Sequence, residues 1–381
     1  MKILGIVAEY NPFHKGHLYH IDEAKKLIDP DLTICVMSSS FVQRGEPAVV
    51  SKFKRARIAV DNGIDIVIEL PLVYTVESAD YFAKGALLLL NEMGITELCF
   101  GSEEGSIDHF IDIAKAIEKD PDQYNLYVRD AMKKGQRYPD ACNEALSKMM
   151  GKEVRTPNDL LGLSYVKEVI HNKYPIDLHC IKRTNNYHDN HIDGMASAKA
   201  LRIGLKDGID VASQLPGYDL YKNDHLFDLN DFFSYFKYIV RFHDHLDEIH
   251  MVDEGLDRLL KKEIKKAKDF DTLLEAMTSK RYTRTRLSRM FIHILLNNRK
   301  EDIQKAMDID YIRLLALSSK GQSYIKRAKK NTDFIILSNI TKHESKALDI
   351  ERKGSDLLDL IDHISSDLEY KTIPYMKKET K

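Results

Sequence analysis

The stretch "MKILGIVAEYNPFHKGHLYHI", residues 1–21, decides how the rest of the chain is read. Its first part, Lys2 to Glu9, is a short run rich in Ile, Leu and Val that reads as a strand, closed by Asn11-Pro12. From His17 to Ile28 the apolar positions recur with helical spacing. Between the two stand His14, Lys15, Gly16 and His17, with His20 three residues further on. Gly16 allows the backbone to pass close to a bound anion. The helix starting near His17 points unpaired N–H groups and the positive end of its dipole at the same place. Two imidazoles one helical turn apart share a side and can each donate to a phosphate oxygen. The loop therefore reads as a nucleotide site, where positioning and charge stabilisation carry phosphoryl chemistry. Surface or capping histidines are the competing reading, and the four residues alone do not separate the two.

Outward from this loop the alternation continues. "LTICVMS" (32–38), "IDIVIEL" (64–70), "ELCFGS" (97–102) and "DLHCIKR" (177–183) are strand-like. "KFKRARIAVDNG" (52–63), "SADYFAKGALLLLNEMG" (78–94), a group of helices over 106–172 and "ASAKALRIGL" (196–205) are helix-like. Such alternation predicts an α/β, Rossmann-like parallel sheet with crossover helices. Ligands of that architecture bind at the carboxyl ends of the strands, where "NPFHKGH" falls. "KDGIDVASQLPGYDLYKND", around 205–225, reads as a boundary. We therefore expect one domain over 1–205 and a mostly helical region over 206–381. Its helices are expected at 229–242, 255–277 and 285–297. Two late strand-like runs, "YIRLLALS" (311–318) and "DFIILSN" (333–339), flank a basic helix and suggest a small closing unit.

Bulk properties narrow the classes. Of the 381 residues 43% are hydrophobic and 30% charged, the composition of a globular protein rather than a disordered one. The formal net charge of −2 gives no whole-chain argument for nucleic acid or membrane, so any basic surface must be local. Cys35, Cys99, Cys142 and Cys180 lie far apart, which speaks against a disulfide framework or a zinc site. Glu9 interrupts the first apolar run, so no signal peptide is expected. No apolar run approaches the roughly 18 residues of a membrane span. The chain reads as cytoplasmic, with no membrane partner.

Local clusters supply the remaining candidates. In "SFVQRGEPAVVSKFKRARIA" (40–59), Gln43 and Arg44 lie in a loop after the second strand and suit a carboxylate, pyrophosphate or RNA. Lys52, Arg55 and Arg57 read as a solvated helix face. Residues 279–300 hold seven Lys/Arg and no acid, and 320–330 hold five more, again with no acid. Arg281, Arg284 and Arg286 around Tyr282, with Lys326 and Arg327, are candidate RNA contacts, the tyrosine as a stacking platform. His188, Asp189, His191 and Asp193 in "NYHDNHID" fit no helical metal spacing and read as a polar loop. "RFHDHLDEIH" (241–250) reads as a solvated histidine-rich face, so no protein-bound metal is expected.

The pattern HxGH after a first strand is the hallmark of the adenylyltransferase superfamily related to class I aminoacyl-tRNA synthetases. More narrowly, "GIVAEYNPFHKGHLYHI", "FVQRGEPAVVSKFKRARIAVDNGIDIVIELP", "SADYFAKGA", "CFGSE", "TPNDLLGLSYVKEV" and "IKR…YHD" resemble, in order, the bacterial tRNA(Met) cytidine acetate ligases. The resemblance runs through most of 1–205 and continues more loosely beyond. It implies an HxGH nucleotidyltransferase domain followed by a tRNA-contacting region. It also implies an enzyme that joins acetate to ATP, with Mg2+ on the phosphates, and releases pyrophosphate. The acetyl group then passes to the wobble cytidine of elongator tRNA(Met), giving N4-acetylcytidine. Carried over by position, the ATP site comprises Val7, Ala8, Glu9, Tyr10, Asn11, Pro12, Phe13, His14, Lys15, Gly16, His17, Leu18, Tyr19 and His20, together with Gly101, Asn158 and Arg183. His14 and His17 hold the phosphates as the catalytic pair. Asn158 follows Pro157 at a helix start, so an N-cap role is its structural alternative. Arg183 has a rim salt bridge as its own. Two departures touch the phosphate contacts. Ser39 and Ser40 stand where the family has Gly-Asn, and "ASAKALR" (196–202) keeps Ser197 and Arg202 but has Lys199 for the expected threonine. The competing functions are an acetate ligase acting on a protein thiol, as in citrate lyase ligases, a plain nucleotidyltransferase, and an inactive RNA-binding relative.

Overall fold

The computed structural model describes residues 1–183 and 196–378. The Ile- and Val-rich runs form strands β1 (Ile3–Ala8), β2 (Leu32–Ser38), β5 (Ile66–Leu70), β6 (Glu97–Ser102) and β7 (Asp177–Lys182), with β3 (Phe41–Val42) and β4 (Glu46–Pro47) as a small separate hairpin. Every residue of β2 and β5 is buried, as in a sheet covered on both faces. Their order is β5-β2-β1-β6-β7, all parallel. The chain moves outward from β1 through β2 to β5, then returns to the other side of β1 for β6 and β7. The order thus reverses between β1 and β6, and the carboxyl ends there open a crevice. The HxGH loop leaves β1 at that crevice.

Helices α1 (Lys15–Ile28) and α2 (Lys52–Asp61) cover one face, packing Ile21, Ala24, Ile58 and Ala59 against Leu4, Ile6, Cys35 and Met37. Helices α3 (Leu72–Thr75) and α4 (Ala79–Glu92) cover the other, with Phe82, Ala83 and Leu87 on the side of Ile34, Val36 and Ile68. Four helices, α5 (Ile107–Lys119), α6 (Pro121–Lys133), α7 (Tyr138–Met150) and α8 (Pro157–Asn172), separate β6 from β7, and α9 (Ala198–Lys206) follows. Among the described residues no helix is long and apolar enough to cross a membrane.

The second half begins as expected with α10 (Phe233–Phe242). The run 255–277 then divides into α11 (Leu256–Glu263) and α12 (Phe270–Met277). The break is local chemistry: the Asp269 carboxylate accepts from Thr272 N at 2.7 Å in a capping box that starts a new helix. α13 (Arg284–Leu295) and α14 (Lys300–Ala306) follow. The late strands do not close a separate unit. β8 (Tyr311–Leu317), buried at every position, enters the main sheet antiparallel beside β5 and carries β9 (Ile335–Leu337) and β10 (Tyr375–Met376) on its outer edge. α15 (Ser319–Ala328), α16 (Lys346–Asp362) and α17 (Ser365–Lys371) complete the chain.

Lys52 and Arg55 correct the expectation of a solvated helix face, because both are fully buried. The Lys52 ammonium lies 2.5 Å from Glu69, 2.8 Å from Glu369 and 3.3 Å from Glu351. Arg313 of β8 pairs with Glu69 at 3.1 Å and with Glu369. Ser355 donates to Glu369 at 2.8 Å and the Leu72 N–H donates to Glu351. Two cations therefore face three carboxylates contributed by β5, α16 and α17. Burial and the neighbouring Glu69 push the Glu351 carboxyl up to about 8. Against the same burial, Lys52 and Arg313 hold Glu369 down at about 2. Only Arg57 of the three lies on the surface, beside Asp61.

Removing one partner of a buried pair strands the others without compensation, so Lys52→Met should cost about 3–5 kcal/mol. Urea unfolding of both proteins at pH 7 measures the difference, which would stay within 1 kcal/mol (about fivefold) if the cluster were solvated.

Candidate active site

Helix α1 begins at Lys15, two residues earlier than its apolar spacing suggests, because the histidines cap it. His14 is extended (φ −143°), and its Nδ1 accepts the Gly16 N–H at 3.0 Å. His17 Nδ1 accepts the His14 N–H at 3.2 Å, so the two form a reciprocal capping box. Capping and phosphate binding are compatible here. With each Nδ1 an acceptor, the proton of each neutral imidazole resides on Nε2, and both rings offer an Nε2–H donor. The rings lie nearly stacked, 3.8 Å between centroids and 30° from parallel. Burial, with the charges of Arg183 and Arg202, lowers His14 to about 4. Burial and Arg183 lower His20 to about 4, and burial with His14 and His20 depresses His17. All three are neutral at pH 7.

Below the loop, Tyr10 adopts a left-handed backbone (φ +49°) and its ring meets Phe13 at 4.8 Å and His17 at 4.9 Å, edge to face. Tyr10, Phe13 and Leu18 thus pack into the core and shape the loop from beneath. Arg55 gathers the carbonyls at the ends of β1 and β2, donating to Glu9 at 2.6 Å, Ser38 at 3.2 Å and Ser39, and also holds Val50 just before α2 at 2.8 Å. Ser39 and Ser40 are buried in the same wall. The Asn11 side chain accepts from Val49 N at 2.8 Å, and its carbonyl accepts from Arg202 at 2.8 Å. Arg202 belongs to α9, which Ser197 caps by accepting from Ala200 N, whereas Lys199 is exposed. The Gln43 N–H donates to the Glu9 carboxylate at 2.7 Å. Arg44 lies near enough to Glu46 and Arg202 to affect their ionisation.

The opposite wall comes from β6, β7 and α8. Gly101 lies beside the Arg183 side chain, 3.5 Å from where a Cβ would stand, an ordinary contact distance. Asn158 does not cap α8. Thr156 does, and the Asn158 amide instead donates to Glu103 at 2.5 Å. Glu103 also faces Arg183 at 3.5 Å, the rim pair that was the arginine's structural alternative. Asp159 accepts from Ser102 Oγ and Thr156 Oγ1, both at 2.6 Å, and from Glu103 N at 2.9 Å, which sets this wall. The structure thus gathers His14, His17, Gly101, Asn158, Arg183 and Arg202 around the loop. Sequence reading missed Arg55 and Glu103. The "CFGSE" block placed Glu103 directly after the strand, but nothing in the order of residues joins it to Asn158.

The RNA candidates separate. On α13 and the segment before it, Arg281 and Tyr282 bind Glu254, Arg284 pairs with Asp271 and Arg286 with Asp253. Arg286 also lies over the Tyr282 ring at 4.7 Å. Lys326 and Arg327 sit on α15, whose Tyr324 donates to Met93 O and whose Arg327 reaches Met1. Met93 and Met1 precede β6 and β1, so these two cations lie at the amino end of the sheet, a strand length of roughly 20 Å from the crevice. Glu77, His250 and His293 bring donor atoms within 4.8 Å of one another. Hydrogen bonds already engage them: His250 to Glu77, and His293 to Val76 O at 3.2 Å and the Asn298 amide at 3.3 Å. His188, Asp189, His191 and Asp193 lie outside the described residues.

Residues 1–372 match the model of the family described as HIGH Nucleotidyl Transferase. A tRNA(Met) cytidine acetate ligase of Geobacillus sp. is 40% identical over 366 residues, covering 90% of this chain and 91% of that one. The protein of that name from Bacillus subtilis is 37% identical, covering 94% and 92%. The chain belongs to the tRNA(Met) cytidine acetate ligase family. Its fold superposes on Thermotoga maritima TmcAL bound with alpha-thio ATP, with a TM-score of 0.89 at 28% identity over 99% of this chain and all of that one. The apo form of that protein gives 0.91. Family membership and the sheet crevice thus agree on a nucleotidyltransferase architecture.

The neutral histidines carry a pH signature. Folded His14 titrates near 4 against 6.5 unfolded, so the unfolded chain binds more protons between those values. Stability should rise with pH up to about 6.5 and level off above. At pH 5 the loss from His14 relative to pH 7.5 is on the order of 1–2 kcal/mol. Urea unfolding at the two pH values, repeated with His14→Asn, should show a smaller pH dependence in the variant.

Proposed function

We propose that this protein activates acetate with ATP and transfers the acetyl group to the wobble cytidine of elongator tRNA(Met) in the cytoplasm. The observation that carries the reading is the reciprocal His14–His17 cap, which turns two Nε2–H donors toward one crevice beside the amino end of α1. Acetate is ionised at neutral pH (carboxylate pKa about 4) and needs no base. Its oxygen attacks the α-phosphorus, the bond to the β-phosphate oxygen breaks, and pyrophosphate leaves with the electron pair. His14 and His17 donate to the phosphate oxygens, while Arg183 and Arg202 add positive charge. The N4 amine of cytidine then attacks the acetyl carbonyl. The bond to AMP breaks and the nitrogen loses one proton. Imidazoles and guanidiniums would hold the phosphate oxygens, and Mg2+ carried with the ATP would supply further neutralisation of their charge.

The α13 cluster is the proposed tRNA contact. Each of its guanidiniums faces a carboxylate in a surface pair worth under about 1 kcal/mol, which a phosphate can replace. Counterion release then supplies the affinity. Lys326 and Arg327 stand too far from the crevice to join the same anticodon-loop contact.

Incubation with ATP, magnesium, labelled acetate and unmodified elongator tRNA(Met) tests the reading by counting label in RNA. His14→Asn retains a capping side chain but removes the Nε2–H donor, so it should keep its melting midpoint and lose about 10²-fold in rate. Unlabelled RNA with pyrophosphate release would point to another acceptor. Neither signal from the wild type would leave an RNA-binding protein.

A further inference from the structure

We propose that Arg289, from α13, is a positioning residue for acetate activation: it holds the Gln43–Gly45 turn, and through it the Glu9 carboxylate, in place. Arg284 and Arg286 pair outward with surface acids. Arg289, one turn beyond Arg286, is partly buried and its side chain reaches the first half of the chain instead. Its Nε–H donates to the Gln43 carbonyl at 2.7 Å. The N–H of that same Gln43 donates to the Glu9 Oε1 at 2.7 Å. Two hydrogen bonds in series therefore connect a helix of the second half to the residue that precedes the strained Tyr10. Arg55 holds the other end of Glu9, donating to its carbonyl at 2.6 Å.

Backbone geometry makes the contact specific. Gly45, at φ +78°, closes the β3–β4 turn with its N–H on Val42 O at 2.9 Å. A Cβ there would fall 2.3 Å from the Arg289 nitrogen and 2.5 Å from the Ser288 carbonyl carbon. Those are main-chain atoms that cannot swing aside, so the turn rests directly on the helix. Charge fits as well. The Arg289 guanidinium interacts with the carboxylates of Glu77 and Glu9, and Arg44 is the like charge nearby. Arg44 rides on the same turn, so the cation presented toward Glu46 and Arg202 is placed from α13 too.

A misplacement of about 1 Å in a phosphoryl-transfer site costs up to 10²-fold in rate. Losing Arg289 should therefore slow activation itself rather than RNA binding. Since this presumes acetate activation, the first readout is acetate-dependent ATP–pyrophosphate exchange without RNA. The second is kcat and KM for tRNA in acetyl transfer, and the third is the melting midpoint. Arg289→Gln should lower the exchange rate at least tenfold with KM for tRNA within twofold. Arg289→Lys keeps the charge between Glu77 and Glu9 and guards against misfolding, but loses the Nε–H, and should fall between. Gly45→Ala, which pushes the turn off the helix from the other side, should reproduce the exchange defect. A folded Arg289→Gln or Arg289→Lys protein with wild-type exchange overturns the proposal. If KM for tRNA rises at the same time, the arginine is an RNA contact. No exchange in the wild type removes acetate activation and this role together.

Discussion

Five ionisable groups buried between the sheet and the last helices hold the molecule together. Lys52 and Glu69 come from the first half, and Arg313, Glu351 and Glu369 from strand and helices more than two hundred residues later. The charged members do not tolerate isolation in a low-dielectric interior, so the two halves are stable only as one packed body. Because β8 is fixed beside β5 in this way, the elements between them have little freedom. The helical layer that includes α13 is carried to the carboxyl end of the sheet and laid on the β3–β4 turn. The crevice consequently has walls from both halves, although most of the sequence signal for it lies in the first.

Within the crevice, structural and chemical demands fall on the same atoms. A helix start needs acceptors for its free N–H groups, and phosphate binding needs donors at the same spot. Imidazole satisfies both because its two nitrogens differ: Nδ1 serves the cap and Nε2–H remains for the ligand. Burial under Arg183 and Arg202 keeps the rings neutral, which preserves the acceptor. Positive charge is left to guanidiniums, which stay ionised when partly buried. Arg55 carries the division further. Its charge is spent on strand-end carbonyls, so the floor of the site is rigid without the arginine touching a substrate.

The strand–loop–helix around the HxGH pair and the parallel strands are legible in the residues because each is a short-range signal. Strand composition and helical spacing report on neighbours within one turn or one pleat. Lys52 and Arg55 were misread for the same reason: a charged residue in a basic helix looks solvated until its long-range partners are known. The single helix read at 255–277 failed on a purely local point, the Asp269–Thr272 cap, which the apolar spacing masked. Asn158 shows the finer limit, since two residues of offset gave the cap to Thr156 and freed the amide for Glu103.

By itself the sequence determined the strand–loop–helix unit at residues 3–28, the alternation that makes a doubly wound sheet, and the chemistry of the loop between them. Only the tertiary structure decided that β8 would join that sheet, that the basic run on α13 would pair with acids of neighbouring helices and loops, and that Arg289 would meet the β3–β4 turn. The difference is one of range. Periodicity encodes which face of an element is apolar, whereas the partner of a buried charge is chosen by packing between elements far apart in the chain.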